Sequence, residues 1–244
     1  MELNPSGIDM LLACDLHIHS CLSPCADMAM TPNNLVNMAY LKGLDMIAVA
    51  DHNSAKNLPA CKAAADERNM LLLPAIEAES REEVHVLCYF PTVESAIAMG
   101  DYLYQHLPDI KNSPELFGEQ IAMNSEDEPI YREEKLLIQS TTLSIDSIAD
   151  RCRAFGGVPV PAHINRSSNS LISSLGFVPP QSGFTALEVY RGLPAAGVDV
   201  DQYHILYSSD AHYLENILER ENFINVRERS IGSVLEYLSS KNDV

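Results

Sequence analysis

The sequence predicts an α/β protein with a single domain, in which about seven strands form a barrel or near-barrel. Short apolar runs alternate with helix-period stretches along the 244 residues, which is the pattern of successive strand–helix units. The runs are apolar throughout, as is typical of strands buried on both faces of a parallel sheet. Seven strands in a chain of this length favour a barrel over an open sheet, because single barrels commonly reach ~250 residues.

The predicted strands are short and carry few polar residues. They are Leu11–His17, Asp45–Ala50, Leu71–Ile76, Val84–Phe90, Val158–His163, Ala186–Tyr190 and His204–Ser208. The predicted helices lie between or after them, at Pro32–Lys42, Ser54–Asn69, Val93–Leu107, a segment from Ser144 or Asp146 to Gly156, and Gly232–Lys241. Thr31 before Pro32 is an N-cap signal, and Gly43 is a stop signal for the same helix.

Two regions interrupt the alternation within the single predicted domain, 1–244. Residues 108–142 are acidic and irregular, and we expect a hairpin-like or helical excursion packed on the barrel. Residues 165–183 are rich in Ser and Asn and end beyond Pro179-Pro180. We expect this second region to be a loop beside the functional site.

Composition limits the partners and the compartment. Against 34 Asp and Glu the chain has 16 Lys and Arg, a formal charge of −18. Such a surface repels phosphate backbones, so we expect no long duplex nucleic acid as a partner, although a local positive site could hold a short phosphorylated ligand. No apolar run reaches the ~18 residues of a membrane helix. Six cysteines without disulfide-framework spacing, and no signal-peptide pattern in the first twelve residues, predict a cytoplasmic protein. The oligomeric state is not indicated.

Histidines provide the strongest functional signal. Six of the eight, with two carboxylates, lie at or near the ends of predicted strands: His17, His19, His52, His85, His163, His212, Glu77 and Asp210. In parallel barrels such strand ends converge on one face, and the two imidazoles of His17-x-His19 lie on one side of an extended chain. Imidazoles with a few carboxylates are ligands for divalent metals. Asp15 and Asp51 are placed to orient these imidazoles, whereas His106 and His204 are expected to be structural.

The strand-end motifs, taken together, resemble the PHP (polymerase and histidinol phosphatase) superfamily. They are Asp15-Leu16-His17-Ile18-His19-Ser20, Asp51-His52-Asn53, Ile76-Glu77, Glu83-Val84-His85-Val86-Leu87, Ala162-His163 and Ser209-Asp210-Ala211-His212. The resemblance implies a distorted seven-stranded (β/α) barrel with two to three divalent metals and phosphoesterase activity. The spacing from Glu77 to His85 is similar to that of the branch acting on small nucleotides and short RNA ends.

The resemblance also implies a set of ligands. His17, His19, Glu77 and Asp210 would hold one metal, and Glu77, His85 and His163 a second. His52 and His212 would share a third with a residue from the loop after His19. There the family has Asp five, or His six, residues after the second histidine, whereas this chain has Pro24 and Cys25. Cys25 or Asp27 could complete the third site, or that site is weak or absent. Mn, Fe or Zn are the expected metals, with Mg also possible.

The predicted reaction is hydrolysis of a phosphoester through a metal-bound hydroxide. The substrate would be a small phosphorylated metabolite, a nucleotide or a short oligonucleotide 5′ end. Glu77 and Asp210 would act at the metals, and His212 or a metal-bound water would protonate the leaving group. Arg166 and Arg191 would bind the phosphate. Lys56 is a further candidate, but it fits a surface charge better.

Three alternatives remain open from the sequence. The departure at Cys25 is compatible with a non-catalytic metal- or ligand-binding module. A nuclease acting on long DNA or RNA is opposed by the charge of −18 and by the absence of a basic stripe with aromatics. An amidohydrolase acting on a non-phosphate bond fits poorly, because no candidate for a carboxylated lysine stands out.

Overall fold

The computed structural model describes residues 10–241, so the ends of the predicted domain, 1–9 and 242–244, lie outside the described residues. The strands of the described part are β1 (Met10–Ile18), β2 (Met46–Val49), β3 (Leu71–Glu79), β4 (His85–Tyr89), β5 (Ile121–Met123), β6 (Pro129–Arg132), β7 (Val158–Pro161), β8 (Ala186–Glu188), β9 (His204–Leu206) and β10 (Phe223–Val226). The α-helices are α1 (Pro32–Leu41), α2 (Leu58–Glu67), α3 (Val93–His106), α4 (Pro114–Phe117), α5 (Ile145–Ala154), α6 (Leu171–Ser174) and α7 (Ile231–Ser239).

The capping signals of the helices are confirmed. The Thr31 hydroxyl accepts a hydrogen bond from the Asn34 backbone N–H at the start of α1, and Ser144 caps α5 in the same way. Gly43 follows α1 with a φ of +75°, a conformation that costs other residues more. The helix predicted from Ser54 begins later, at Leu58.

The α/β class is confirmed, but an all-parallel seven-stranded barrel is not what the described residues form. Six strands make one curled, mixed sheet in the order β10-β1-β2-β3-β4-β7, and β8 and β9 make a separate parallel pair. β1, β2 and β3 are mutually parallel, whereas β4 is antiparallel to both β3 and β7. The reason is the short connection from Ser80 to Val84, because a parallel pair needs a crossover of about a dozen residues or more.

The sheet is buried on both faces, which explains why the strands lack an alternating pattern. Leu12, Cys14 and Leu16 of β1 pack in a cluster that includes side chains of α7. Helices α1, α2, α3 and α5 supply the other large cluster. Burial on two faces makes a strand apolar whatever its direction, so the pattern did not reveal that β4 is antiparallel.

The region 108–142 forms a small excursion on the sheet. It contains α4 and an antiparallel hairpin of β5 and β6. The Asn57 side chain donates to the Ile121 carbonyl at 3.1 Å and accepts from the Met123 N–H at 2.8 Å. The excursion is therefore attached to the segment that follows β2.

One strand of the main sheet was not predicted. β10 pairs antiparallel with the beginning of β1, with Met10 opposite Val226. It is only four residues long, and Phe223 is exposed while Ile224 is buried, so it lacks the apolar run used to identify the others. Among the helices of residues 10–241, none combines the length and apolar character needed to cross a membrane.

Candidate metal centre

One buried carboxylate, that of Glu77, is surrounded by five buried imidazole rings. The distance from a Glu77 carboxylate oxygen to a ring nitrogen is 3.3 Å for His17, 3.4 Å for His19, 3.0 Å for His52, 2.8 Å for His85 and 3.2 Å for His163. Glu77 itself is 1% exposed. A carboxylate with this many nitrogen neighbours has the ligand chemistry of a bridged metal cluster.

The sheet topology brings these residues to one edge. His17 and His19 lie at the end of β1, Glu77 lies near the end of β3, and His52 follows β2. His85 is the first residue of β4 and pairs with Glu79. Because β4 runs against β3, its beginning lies at the edge where the parallel strands end. This accounts for the position of His85 early in its strand.

A second carboxylate closes the cluster. The Oδ1 atom of Asp210 lies 3.1 Å from Nε2 of His19 and 3.4 Å from Nε2 of His17. The rings of His19 and His212 have their centroids 4.4 Å apart. Asp210 and His163 have positive φ values of 52° and 26°, which are uncommon for residues with a Cβ and are often found at functional sites.

Charges around two of the histidines favour protonation. Burial opposes it at His17, yet the carboxylates of Glu188 and Glu77 outweigh burial and hold its pKa well above the usual range. Burial also opposes it at His85, where Glu77 raises the pKa to about 10. The imidazoles in turn outweigh burial at Glu77 and keep its pKa well below the usual value. The imidazoles and the carboxylates of the cluster therefore stabilise each other's charged forms.

The pKa values of the neighbouring histidines are shifted in different directions. At His19, the Asp210 carboxylate at hydrogen-bond distance and the nearby Glu77 carboxylate overcome burial and raise the pKa to about 8. Burial lowers the pKa of His52 well below its usual value, and burial with the adjacent His19 lowers that of His212 to about 4. His52 and His212 are thus neutral at pH 7, as metal ligation requires.

Glu188, which sequence reasoning missed, orients His17. Both of its carboxylate oxygens lie 3.1 Å from Nδ1 of His17, and Oε2 also accepts the backbone N–H of His163 at 2.8 Å. Holding Nδ1–H in this way directs Nε2 of His17 toward Glu77. The available signal was a carboxylate within the apolar run of β8.

Of the two aspartates predicted to orient imidazoles, Asp51 reaches one through a serine, whereas Asp15 binds a loop. Asp15 accepts the backbone N–H groups of Ser209 and Leu218, both at 3.0 Å, so it fixes a loop instead. Asp51 accepts the Ser23 hydroxyl at 2.6 Å, and Ser23 Oγ lies 3.0 Å from Nδ1 of His19. Since the hydroxyl proton goes to Asp51, Ser23 must accept from His19. Asp51 therefore acts on His19 through an intervening serine.

A further missed carboxylate, Glu79, lies beside the cluster. Its Oε2 is 3.5 Å from Nε2 of His85. Its Oε1 accepts hydrogen bonds from the Ser140 hydroxyl at 2.9 Å and from the Asn169 side-chain amide at 3.1 Å. Ser140 belongs to the excursion and Asn169 to the 165–183 loop, so Glu79 joins both regions to the centre.

The loop after His19 places its two candidate ligands differently. Cys25 lines the cleft above the cluster, and loss of hydration with the nearby Glu77 carboxylate raises the pKa of its thiol to about 12. Asp27 is exposed and accepts the Ala29 N–H at 2.8 Å within a turn. The nitrogens that come together here belong to His19, His52 and His212.

The predicted phosphate-binding residues separate into two locations. Arg166 lines the cleft and donates from Nη1 to Oδ2 of Asp210 at 2.5 Å. Arg191 is not among the lining residues, and its guanidinium lies over the ring of Tyr207. Lys56 is also elsewhere, paired with the buried carboxylate of Glu133.

The two histidines predicted to be structural lie outside the cluster. Nδ1 of His106 donates to the Tyr102 carbonyl one helical turn earlier, at 2.8 Å. His204 lies 3.0 Å from the Ser240 hydroxyl. The cleft has a volume of about 300 Å³, and the 165–183 loop contributes Arg166, Ser168 and Asn169 to its lining.

Neither a profile of a known protein family nor a curated protein matches this sequence. Its fold does match solved structures. Endonuclease Q from Pyrococcus furiosus, described as a lesion-specific endonuclease, has a TM-score of 0.65 and 19% identity over 94% of this chain. A structure of Endonuclease Q with a 27-mer duplex, carrying an abasic lesion at the active site, has a TM-score of 0.68 and 18% sequence identity over 94% of this chain. This chain spans only 56% of the length of either.

Two phosphoesterase-type structures also match. One, from Bifidobacterium adolescentis and described as a candidate metal-dependent phosphoesterase, has a TM-score of 0.58 and 22% identity, covering 91% of this chain and 94% of its own. The other is a two-domain protein from Bacteroides vulgatus containing a PHP-like metal-dependent phosphoesterase, with a TM-score of 0.55 and 16% identity over 98% of this chain and 65% of its own. The chain therefore has a PHP-like fold, which confirms the resemblance seen in the motifs.

The comparison corrects the prediction about partners. Net charge was taken to exclude long duplex nucleic acid, yet Endonuclease Q, to which 94% of this chain is similar in fold, is described in complex with a 27-mer duplex substrate. That exclusion is wrong, because the summed charge of a chain does not describe the field at one site.

Proposed function

We propose that this chain is a metal-dependent phosphoesterase whose reaction takes place at the Glu77 cluster. Its substrate would be a phosphoester of a small metabolite, a nucleotide or an oligonucleotide 5′ end. The observation that carries the proposal is the set of five ring nitrogens within 3.4 Å of one buried carboxylate. Such a concentration of ligand atoms is costly in a core unless it holds a charged group.

Polar atoms of the cluster fit divalent metal ions. Nδ1 of His52 and Oε2 of Glu77 lie 3.0 Å apart, yet within the described residues neither atom makes a hydrogen bond, and Nδ1 of His163 is also without a partner. Nε2 of His17 and Nε2 of His19 face each other at 3.2 Å. Buried atoms left in this state are satisfied by a shared cation. Two to three ions of Mn, Fe or Zn, or of Mg, would fit the donor set.

When bound, divalent ions at such a centre lower the pKa of water and stabilise charge on phosphoryl oxygens. His17, His19, Glu77 and Asp210 are the proposed ligands of one ion, Glu77, His85 and His163 those of a second, and His52 and His212 those of a third. Cys25, which lines the same cleft, is a candidate to complete the third site. Glu188 and Ser23 fix the ring tautomers that present Nε2 to the ions.

Arg166 is the proposed phosphate-binding side chain. One of its guanidinium nitrogens holds Asp210 at 2.5 Å, and its side chain is 33% exposed at the cleft. A planar guanidinium has further N–H groups in a fixed fork, so it can bind a phosphoryl oxygen while it remains attached to the carboxylate. His212 donates from Nδ1 to the Asp210 carbonyl at 2.8 Å, so its Nε2 is the atom that would bind the third ion.

The decisive experiment compares Glu77→Gln with the wild-type protein, purified without added metal or chelator. We expect two to three equivalents of transition metal in the wild type, together with hydrolysis of phosphomonoesters or phosphodiesters. Glu77→Gln should lose both. Glu94→Gln, at an exposed position in α3, is the control and should keep both. Full turnover by Glu77→Gln would contradict the proposal, and metal binding without turnover in the wild type would favour a non-catalytic binding module.

A further inference from the structure

A second cavity opens where the separate strand pair, β8 and β9, ends. It has a volume of about 510 Å³ and is lined by five aliphatic side chains, among them Val189, Leu193 and Ile205, together with Arg191 and Tyr207. Concave, mostly apolar sites of roughly 300–1,000 Å³ with a few placed polar groups are the usual form of ligand pockets. The size and lining suit one flat heteroaromatic ring.

The polar groups at the rim are held in place before any ligand arrives. The Arg191 guanidinium lies over the Tyr207 ring, 4.8 Å from its centroid. The side chain of Asn222 accepts from Arg191 at 3.0 Å and donates to the Tyr207 carbonyl. One amide thus fixes both residues. The nearest carboxylate oxygen, on Glu221, is 3.9 Å away, which is too far for a hydrogen bond.

Residues of the cavity are close in sequence to residues of the metal cleft. Tyr207 precedes Asp210 by three residues, so their Cα atoms are at most roughly 11 Å apart. Arg191 directly follows Tyr190, and the guanidinium of Arg166 lies over the Tyr190 ring, 4.8 Å from its centroid. One arginine–tyrosine stack therefore lies at the cleft and the other at the cavity, and the two are linked by the adjacent residues Tyr190 and Arg191.

Gly192 permits this arrangement. A Cβ atom at Gly192 would lie 2.7 Å from Cε1 of Tyr190, closer than side-chain carbons approach one another. The Tyr190 ring can fold back over the chain only because no side chain is present there. The turn between the two stacks is thereby kept tight.

We propose that the cavity of Arg191 and Tyr207 binds the base of a nucleotide that adjoins the one whose phosphate enters the metal cleft. The inference rests on the proposed function and deepens it, since it makes a single-stranded oligonucleotide end the preferred substrate class. Aromatic rings beside arginines are the means by which proteins bind single strands, with stacking for the base and cationic charge for the phosphate.

The test is a binding measurement that needs no turnover. Fluorescence anisotropy would compare a 5′-phosphorylated tetranucleotide, with phosphorothioate linkages that resist hydrolysis, and the matching labelled mononucleotide. We expect the wild-type protein to bind the tetranucleotide more tightly. Tyr207→Ala should reduce the ratio of the two affinities roughly 5- to 150-fold, the range of one base stack. Leu193→Asp, at an exposed position of the rim, should reduce it as well by repelling phosphate.

Arg220→Ala is the matched control. Arg220 also lies over an aromatic ring, that of Phe223, but its guanidinium is already bound to Asp45 at 2.8 Å. We expect its affinity ratio to equal that of the wild type. A wild-type ratio near one, or a ratio unchanged in both Tyr207→Ala and Leu193→Asp, would overturn the assignment. Failure of the phosphoesterase proposal would show separately, as turnover retained by Glu77→Gln.

Discussion

Replacing Glu188 by glutamine tests how the centre holds its first histidine. The substitution removes one charge and changes the volume little. Both carboxylate oxygens lie 3.1 Å from Nδ1 of His17, and one also accepts the His163 N–H at 2.8 Å. An amide keeps a single acceptor oxygen and cannot serve both donors equally well. His17 is then less firmly held in the tautomer that presents Nε2 to Glu77.

The expected magnitude follows from two opposing effects. Loss of a carboxylate that orients a metal-bound histidine lowers metal affinity about 10- to 100-fold, or ~1.4–2.8 kcal/mol. The same carboxylate also holds the pKa of His17 well above its usual range, so a metal must displace a proton from His17 at pH 7. Glutamine reduces that competition. We therefore expect a loss closer to tenfold than to a hundredfold.

The assay is titration of the metal-stripped proteins with Zn²⁺ or Mn²⁺ in competition with a chromophoric chelator. Circular dichroism would establish that Glu188→Gln remains folded, and Glu94→Gln would serve as the exposed control. If Glu188→Gln bound every equivalent as tightly as the wild type, Glu188 would have no part in holding the metal centre.

Two further predictions concern stability and pH. Lys56→Met removes the cation that pairs with the buried Glu133 carboxylate, and it should lower the free energy of unfolding in urea by about 1–3 kcal/mol. The control Lys62→Met breaks an exposed pair within a helix and should lower it by less than about 0.5 kcal/mol. Equal effects of the two substitutions would contradict the prediction. Because the pKa is raised to about 8 at His19 and about 10 at His85, protons compete with metal below those values. Metal affinity should therefore weaken as the pH falls from about 8 to 6, and calorimetry showing no proton release would contradict it.

The residues of the cluster were predictable because the direction of each strand determines at which edge of the sheet its last residues lie. The ends of parallel strands share one edge of a sheet, so His17 and Glu77 could be placed together from sequence alone. His85 was placed there by motif rather than by topology. Its position became understandable only when β4 proved antiparallel to β3, a consequence of the short turn that the apolar pattern did not disclose.

The supporting carboxylates were not predictable in the same way. Glu188 is 171 residues from the histidine that it orients, and no local pattern links the two. Asp15 and Asp51 were chosen because they are neighbours of histidines in sequence. Side chains two positions apart in an extended strand lie on the same face, so Asp15 and His17 share a face of β1. Sharing a face does not bring them into contact, and Asp15 binds the backbone of a different loop.

Arg191 illustrates the limit of placing residues by strand end. It follows β8 at the same edge as Arg166 follows β7, and sequence reasoning therefore assigned both to one phosphate. The structure separates them because Arg191 is turned onto Tyr207 by Asn222, a residue contributed by the segment before β10. That strand was not predicted, so its effect on Arg191 could not be foreseen.

The net charge of −18 was likewise a poor guide to which ligands the cleft can bind. At physiological ionic strength exposed charges are screened beyond about 8 Å, so a phosphate at the cleft interacts mainly with groups that line it. Those groups include three carboxylates, of Glu77, Glu79 and Asp210, but also Arg166 and the four imidazoles of His52, His85, His163 and His212. Divalent ions at the centre would reverse the local sign. A chain can therefore be acidic as a whole and still receive an anionic substrate at this edge of its sheet.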